Sequence, residues 1–262
     1  MDFYIHDGDY RFKHATDSPQ TIEPETLGRE HFHKSYELLY VMEGKAKFNI
    51  QGHHYNITKN NLLLIKPGEY HYMDVDKTQS YERLVLRFSD MDIPNDLSLA
   101  LKSVDYVYDI SNLALSNELF RIIELEGVFT YHEDMVYVMK NQLNIILTLL
   151  CKMTPKPSKG VIGSDIAKII DFVDKKILNI KSVDDVCHNV NMSRAKVQKL
   201  MKNHFHTGLM SYVRTKQFIL ARDLIQNGEP ATNIYQIYGF SDYSSFFRAY
   251  KKVFGVSPTG KK

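Results

Sequence analysis

Gly239-Phe-Ser-Asp-Tyr-Ser-Ser-Phe-Phe-Arg-Ala-Tyr-Lys-Lys-Val-Phe-Gly-Val-Ser-Pro258 is the stretch that decides how the C-terminal part of this chain folds. Gly239-Phe240 reads as a turn, with the glycine at a position that needs a positive φ. Ser241 or Asp242 then caps a helix carrying Phe246, Arg248, Tyr250, Lys251 and Lys252, and Gly255 to Pro258 closes it. Ile234 and Ile237 lie on a short helix just upstream. Two short helices joined by a tight turn form a helix-turn-helix pattern, expected over about 231–253.

The same pattern occurs earlier. Ser182-x-x-Asp185 has the form of a capping box ahead of Val186 and Cys187. His188 to Met192 connects to Ser193, which caps a second helix with Val197, Leu200 and Met201 on its buried side. This first unit spans about 182–203, and its cap stands 49 residues before Asp242. Upstream, Ser164 precedes an amphipathic run of Ile166, Ala167, Ile169, Ile170, Val173 and Ile177. Between the units, a long helix from about Leu209 to Gln226 offers Tyr212, Val213, Phe218, Ala221, Leu224 and Ile225 as core, and Asn227-Gly228 ends it. The region 164–262 is therefore expected to be all-helical, with two tandem reading heads on one connecting rod.

Charge divides the chain at the same place. Residues 160–262 hold 16 Lys and Arg against 8 Asp and Glu, whereas residues 1–159 hold 17 against 23. A basic half favours polyanions through counterion release, although a merely solvated basic surface would have the same balance. Thr154-Pro-Lys-Pro-Ser-Lys-Gly160 reads as an extended linker, placed at 154–163. The longest mostly apolar run, Leu143 to Cys151, is about half a bilayer span, so no membrane segment is expected. The N-terminus has no secretory signal pattern, and Cys151 and Cys187 form no CxxC. A cytoplasmic protein of 262 residues, with no disulfide framework, is the expectation.

The N-terminal half reads as strands. Ala46, Phe48 and Ile50 alternate with Lys47, Asn49 and Gln51, and Gln51-Gly52 marks a turn. Leu62 to Ile65 is a continuous apolar run, as in a strand covered on both faces, and Lys66-Pro67-Gly68 ends it. Leu84, Leu86 and Phe88 alternate with Arg83 and Arg87. Together these segments suggest a small double-sheet barrel, with residues 1 to about 27 as an arm. Beyond Asp109 the period becomes helical. Leu119, Ile122 and Ile123 share one face. Met135, Met139, Leu143, Ile146 and Leu150 form a stripe within a helix over 134–152 that either completes the barrel's core or pairs with a second copy.

His31-x-His33-x3-Glu37-x6-Gly44 followed by Pro67-Gly68-x-x-His71 resembles the paired cupin motifs. On an unbroken strand, His31, His33 and Glu37 would share a face. Three readings remain open for these four residues: an organic-ligand pocket, a divalent-metal site, or structural hydrogen bonds.

The 239–258 stretch resembles the signature of the AraC/XylS family of bacterial transcription regulators, and Met192 to Lys202 resembles the family's first recognition helix. The resemblance covers about 164–258. Gln217, where the family usually has Arg, and Tyr235, where it has a small Ala, depart from the pattern, as does the end of the chain after Pro258. The fold implied is α+β in two domains: a cupin-like barrel with following helices over 1–153 for effector sensing and dimerisation, then the tandem helix-turn-helix domain. By resemblance, Ala195, Gln198 and Lys199 read bases from the first helix, and Arg194 and Lys202 lie nearer phosphates. Tyr243, Ser244, Phe247 and Arg248 read bases from the second, with Lys251 beside them on the DNA-binding face. The chemistry agrees: Arg248 suits guanine, Gln198 adenine and Phe247 a thymine methyl. The plain alternatives are a surface ion pair for Arg248, solvation for Gln198 and core packing for Phe247.

The reading is thus a sequence-specific DNA-binding regulator, an activator by family habit, answering to a small molecule such as a carbohydrate. Double-stranded DNA, a second copy of the chain and RNA polymerase are its expected partners. No cofactor and no enzymatic activity are expected, since no separate nucleophile or general base stands out. The rival is a metal-dependent cupin enzyme or metal sensor fused to a DNA-binding module.

Overall fold

A computed structural model describes residues 3–7, 10–20, 33–111, 113–125, 128–153, 164–205, 207–226, 228–254, 257 and 258. The chain divides into two compact units, 1–161 and 162–262. The expected linker, 154–163, lies outside the described residues, as does His31.

In the first unit, strands β1 (Phe3–Asp7), β2 (Tyr10–Asp17), β3 (Tyr36–Glu43), β4 (Lys45–Ile50), β5 (His53–Thr58), β6 (Asn61–Ile65), β7 (His71–Val75), β8 (Tyr81–Phe88) and β9 (Val107–Asp109) build two sheets. One has the order β1-β2-β8-β3-β6-β9 and the other β5-β4-β7. All the pairings are antiparallel. The expected double-sheet arrangement is present, but as two open sheets: among the described residues no ladder joins them into a closed barrel.

Alternation explains the layering. Leu38 and Tyr40 of β3, Leu62 and Leu64 of β6, and Leu84, Leu86 and Phe88 of β8 face a helical layer. Leu39 and Val41, with Leu63 and Ile65, face Phe48, Ile50, Tyr55, Ile57, Met73 and Val75 of the smaller sheet. Both faces of β6 are covered, which is why Leu62 to Ile65 reads as an unbroken apolar run. The β4–β5 hairpin turns at Gln51 and Gly52, φ 52° and 79°, the two-positive-φ turn that matches strand twist. At the β3–β4 corner Gly44 has φ 92°, and a Cβ there would lie 2.5 Å from the Ser80 carbonyl oxygen.

Helices α1 (Asn95–Leu101), α2 (Ala114–Glu124) and α3 (His132–Lys152) cover the larger sheet. Met139, Leu143, Ile146 and Leu150 of α3 are buried in that core. Of the two roles open for the stripe, it fills the first.

The N-terminal arm is corrected. Residues 3–7 and 10–17 are strands β1 and β2, with Ile5, Tyr10, Phe12 and Ala15 buried. β2 pairs with β8 from Arg11↔Arg87 to Asp17↔Tyr81. Its polar positions hid the strand because they meet partners: Asp17 accepts from Arg83 at 2.5 Å and His14 lies 2.8 Å from Glu82. Asn49 and Gln51 are also buried, contrary to a simple polar-out reading, and the Asn49 side chain accepts from the Gly52 amide at 3.0 Å.

The second unit is helical throughout its described residues: α4 (Ser164–Lys176), α5 (Val183–Val190), α6 (Arg194–Phe205), α7 (Leu209–Gln226), α8 (Ala231–Ile237) and α9 (Tyr243–Phe254). One core assignment is corrected: Leu224 is exposed. Of the two isoleucines on α8, Ile234 is buried and Ile237 is 50% exposed. Tyr238, the C-cap of α8, joins Ile234 in the core.

Candidate functional site

The two helix-turn-helix units repeat at the level of individual contacts. In the first, Ser182 accepts from the Asp185 amide at 3.2 Å while the Asp185 carboxylate accepts from the Ser182 amide at 2.8 Å. Two donors at the start of α5 are thereby satisfied. Hydrogen bonds from the Lys181 and Ser182 amides to its carboxylate lower the Asp185 pKa. α5 ends at Asn191 in the left-handed region, φ 53° and ψ 48°, a conformation asparagine tolerates. Ser193 then accepts from the Lys196 amide at 3.2 Å and caps α6.

In the second unit Gly239, φ 73°, makes the turn. Asp242 caps α9, accepting from the Ser245 amide at 2.8 Å and from the Ser245 hydroxyl at 2.8 Å. The choice left between Ser241 and Asp242 thus falls to Asp242. The buried triplets correspond at the same offset as the caps: Val197, Met201 and Phe205 in α6, Phe246, Tyr250 and Phe254 in α9. Each triplet steps by four and anchors one face of its helix, which fixes what the opposite face presents.

On α6 that face shows Arg194, Ala195, Lys199 and Lys202 to solvent; Leu200 is half-buried. Gln198 is also half-buried, with its Oε1 near the Gly208 backbone. Arg194 lies 3.8 Å from Asp184, and Lys196 pairs with Asp165 of α4 at 2.6 Å. On α9, Ser244, Arg248 and Lys251 are exposed, and Phe247 and Tyr243 are half-buried. Tyr243 packs edge-on against Tyr235 at 6.2 Å, so the residue in place of the family's alanine is accommodated by an aromatic contact.

α7 holds both units. Tyr212 packs on Phe205 of the first at 4.9 Å, and Gln217, fully buried, donates to the Ile177 carbonyl at 2.7 Å. Lys216 reaches Asp174 at 2.5 Å. Toward the second unit, Arg214 donates to the Tyr238 carbonyl at 2.9 Å and lies 4.5 Å over the Phe240 ring. Phe218 sits among Phe240, Phe246 and Tyr250, with centroids 5.6–6.0 Å away. Sequence reasoning named the rod's apolar positions but missed Arg214, whose cationic side chain gave no sign of burial.

The cupin-like residues come together between the two sheets. His33 Nε2 lies 3.1 Å from Glu37 Oε2, and Arg87 Nε donates to the same oxygen at 2.6 Å. The His33 and His71 rings meet edge-on at 4.9 Å. One ligand atom from each of His33, Glu37 and His71 falls within 4.8 Å of the others. Burial alone would push the Glu37 carboxyl up; the His33 hydrogen bond and the charges of His33, His71 and Arg87 overcome that and hold it well below the usual carboxylate range. The strand expected through His33 is corrected: residues 33–35 form a bend and β3 starts at Tyr36, so His33 reaches Glu37 by a turn of the chain. Arg87 was missed as a member of this group, although it alternates with Leu86 and Phe88 and must therefore face away from the helical layer.

A helix-turn-helix domain model matches residues 186–260 and an AraC-like ligand binding domain model matches residues 23–130. The Msm operon regulatory protein of Streptococcus mutans is 22% identical over 235 residues, 86% of this chain and 83% of that protein. The lactose operon transcription activator of Staphylococcus xylosus is 22% identical over 236 residues, 86% of this chain and 82% of that protein. Among solved structures, ToxT from Vibrio cholerae is 15% identical with a TM-score of 0.39, covering 97% of this chain and 96% of that one.

Proposed function

The chain belongs to the AraC/XylS family of transcriptional regulators, with a ligand-binding domain and a helix-turn-helix DNA-binding domain, and from that premise we propose how it reads DNA and what it answers to. α6 and α9 enter two successive major-groove segments on one face of the duplex, about 34 Å apart. Ala195, Gln198 and Lys199 contact bases in one segment, and Ser244, Phe247 and Arg248 in the other, with Tyr243 at the margin of the second contact. Arg194, Lys202 and Lys251 contact phosphates. The observation that carries this reading is the 49-residue repeat of cap, buried triplet and basic outer face on one connecting helix.

Binding the duplex sets Arg194 free from Asp184, an exposed pair that contributes little on its own. The protein is an activator acting in the cytoplasm, with RNA polymerase as its further partner. No helix among the described residues is long and apolar enough to cross a membrane. Its effector is a small polar molecule of the carbohydrate class, held between the two sheets of the N-terminal unit. An activator of a lactose operon matched over most of both chains supports this class. Homodimerisation belongs to the same reading, through a surface other than the α3 stripe, which the unit's own core uses.

Selection of bound sequences from random duplex DNA, with and without candidate sugars, tests the assignment. A bipartite consensus that sharpens or moves with one sugar is expected. Retention of DNA without any consensus would refute it.

A further inference from the structure

We propose that Arg214 and Gln217, on one turn of the connecting helix α7, fix the angle between the two reading heads and thereby the spacing of DNA segments the protein accepts. The proposal rests on the assignment of α6 and α9 to two groove segments and adds what sets their separation. Both act as positioning residues, since neither lies on α6 or α9.

Three positions apart, the two side chains are neighbours on α7. Gln217 is buried and donates through Nε2 to the Ile177 carbonyl at 2.7 Å, immediately after the last residue of α4. Arg214 donates through Nη1 at 2.9 Å to the carbonyl of Tyr238, the C-cap of α8. Each therefore holds a carbonyl at a helix C-terminus, where the last carbonyls have no partner within the helix and the macrodipole is negative. One head is gripped at α4 and the other at α8, from the same turn of the rod. Lys216, between the two, reinforces the first grip by reaching Asp174 of α4 at 2.5 Å.

These contacts have direction. The apolar packing around Phe218 is non-directional and survives a small rotation of one head against the rod. A hydrogen bond to a single carbonyl weakens steeply off its line. Arg214 also spans the turn of the second head: it holds the Tyr238 carbonyl on one side of Gly239 and lies 4.5 Å over the Phe240 ring on the other. The space beside Gly239, φ 73°, is open, so that permissive turn is held through its neighbours. Burial points the same way. Arg214 is half-buried, desolvation lowers its pKa, and among the described residues no carboxylate pairs with it. A guanidinium so placed costs stability that an apolar side chain of similar length would not. What it supplies is a defined geometry, planar donors matched to one carbonyl and one ring.

A spacing series with the full chain tests the proposal. Duplexes carrying the selected bipartite consensus, and others with one base pair removed or added between its segments, are bound to the parent, Arg214→Met and Gln217→Met. Affinity is read by fluorescence anisotropy. One base pair moves a segment by about 3.4 Å and turns it by about 35°. The parent should prefer its own spacing by about tenfold or more, the cost of misplaced base contacts, and either variant by only about threefold. A purely structural role would lower stability and affinity at every spacing alike and leave the preference untouched. Leu220→Ala, exposed on the same helix, should behave as the parent does. Circular dichroism checks each fold. Should one Met variant fail to fold, the other decides; should both fail, Arg214→Lys decides. Lysine keeps the charge without the planar fork, so its preference should fall below the parent's. A parent indifferent to spacing overturns the DNA-reading assignment and the proposal together. A selective parent whose folded variants are equally selective overturns the proposal alone.

Discussion

Replacing Phe218 by Ala separates the two reading heads. Phe218 is 1% exposed and lies within 6.0 Å, ring to ring, of Phe240, Phe246 and Tyr250. Truncating a buried Phe costs about 3–5 kcal/mol, from lost transfer energy and from the cavity left behind. The three aromatic neighbours come from the turn and the second helix of one head, so the cavity opens inside that head. The first head keeps Val197, Met201 and Phe205, with Tyr212 packed against Phe205. Since a domain of this size is stable by roughly 5–15 kcal/mol, the unit stays folded while the anchorage of α9 weakens. The chain contains no Trp, so urea titration is followed by far-UV circular dichroism. A footprint on the selected duplex then reports each groove segment separately. Protection at the α9 segment should fade while that at the α6 segment persists, and Phe205→Ala should do the reverse. Equal loss at both segments, or a stability change under about 0.5 kcal/mol, the range of ordinary surface substitutions, would refute the reasoning.

Arg248→Ala should weaken specific binding by ~1–3 kcal/mol and relax preference at one base pair, read by competition among single-base operator variants. Lys202→Ala should weaken binding to all sequences alike and flatten the slope of log affinity against log salt by about 0.9, read by fluorescence anisotropy across a salt series. Ser193→Ala removes the α6 cap and should cost about 1 kcal/mol in urea denaturation. Asp242 has its pKa lowered chiefly by hydrogen bonds from the Ser245 amide and hydroxyl, so its contribution is present above the ordinary value of 3.8 and is lost as pH falls through the lower folded value. Helicity in the acid range should therefore become less pH-dependent in Asp242→Asn, which keeps a capping oxygen but no titrating carboxyl.

What the sequence made legible follows from where the physics is local. Caps, turns and four-residue steps act within one helix, so Ser182, Ser193, Gly239 and the triplet anchored by Phe246 could be placed without a structure. The unbroken Leu62 to Ile65 run likewise announced a strand with two covered faces. Long-range pairing was harder to read. β2 looks irregular because His14 and Asp17 meet Glu82 and Arg83 across the sheet, partners more than sixty positions away. Tyr238 entered the core unforeseen because it caps the end of α8, and periodicity does not report a helix end to the residue. Within the candidate site, the motif spacing brought His33, Glu37 and His71 onto one list but gave the wrong route, a straight strand in place of a bend. Arg87 escaped notice because an arginine alternating with apolar residues is ordinarily read as facing water, and here that face looks into the space between sheets.

Hydroxyl-radical footprinting of the intact protein on its selected duplex, with single-nucleotide resolution on both strands, tests the central claim most directly. Two protected patches on one face, centred about one helical turn apart, are predicted, since α6 and α9 are borne by one connecting helix. A single patch, or two patches on opposite faces, would contradict it.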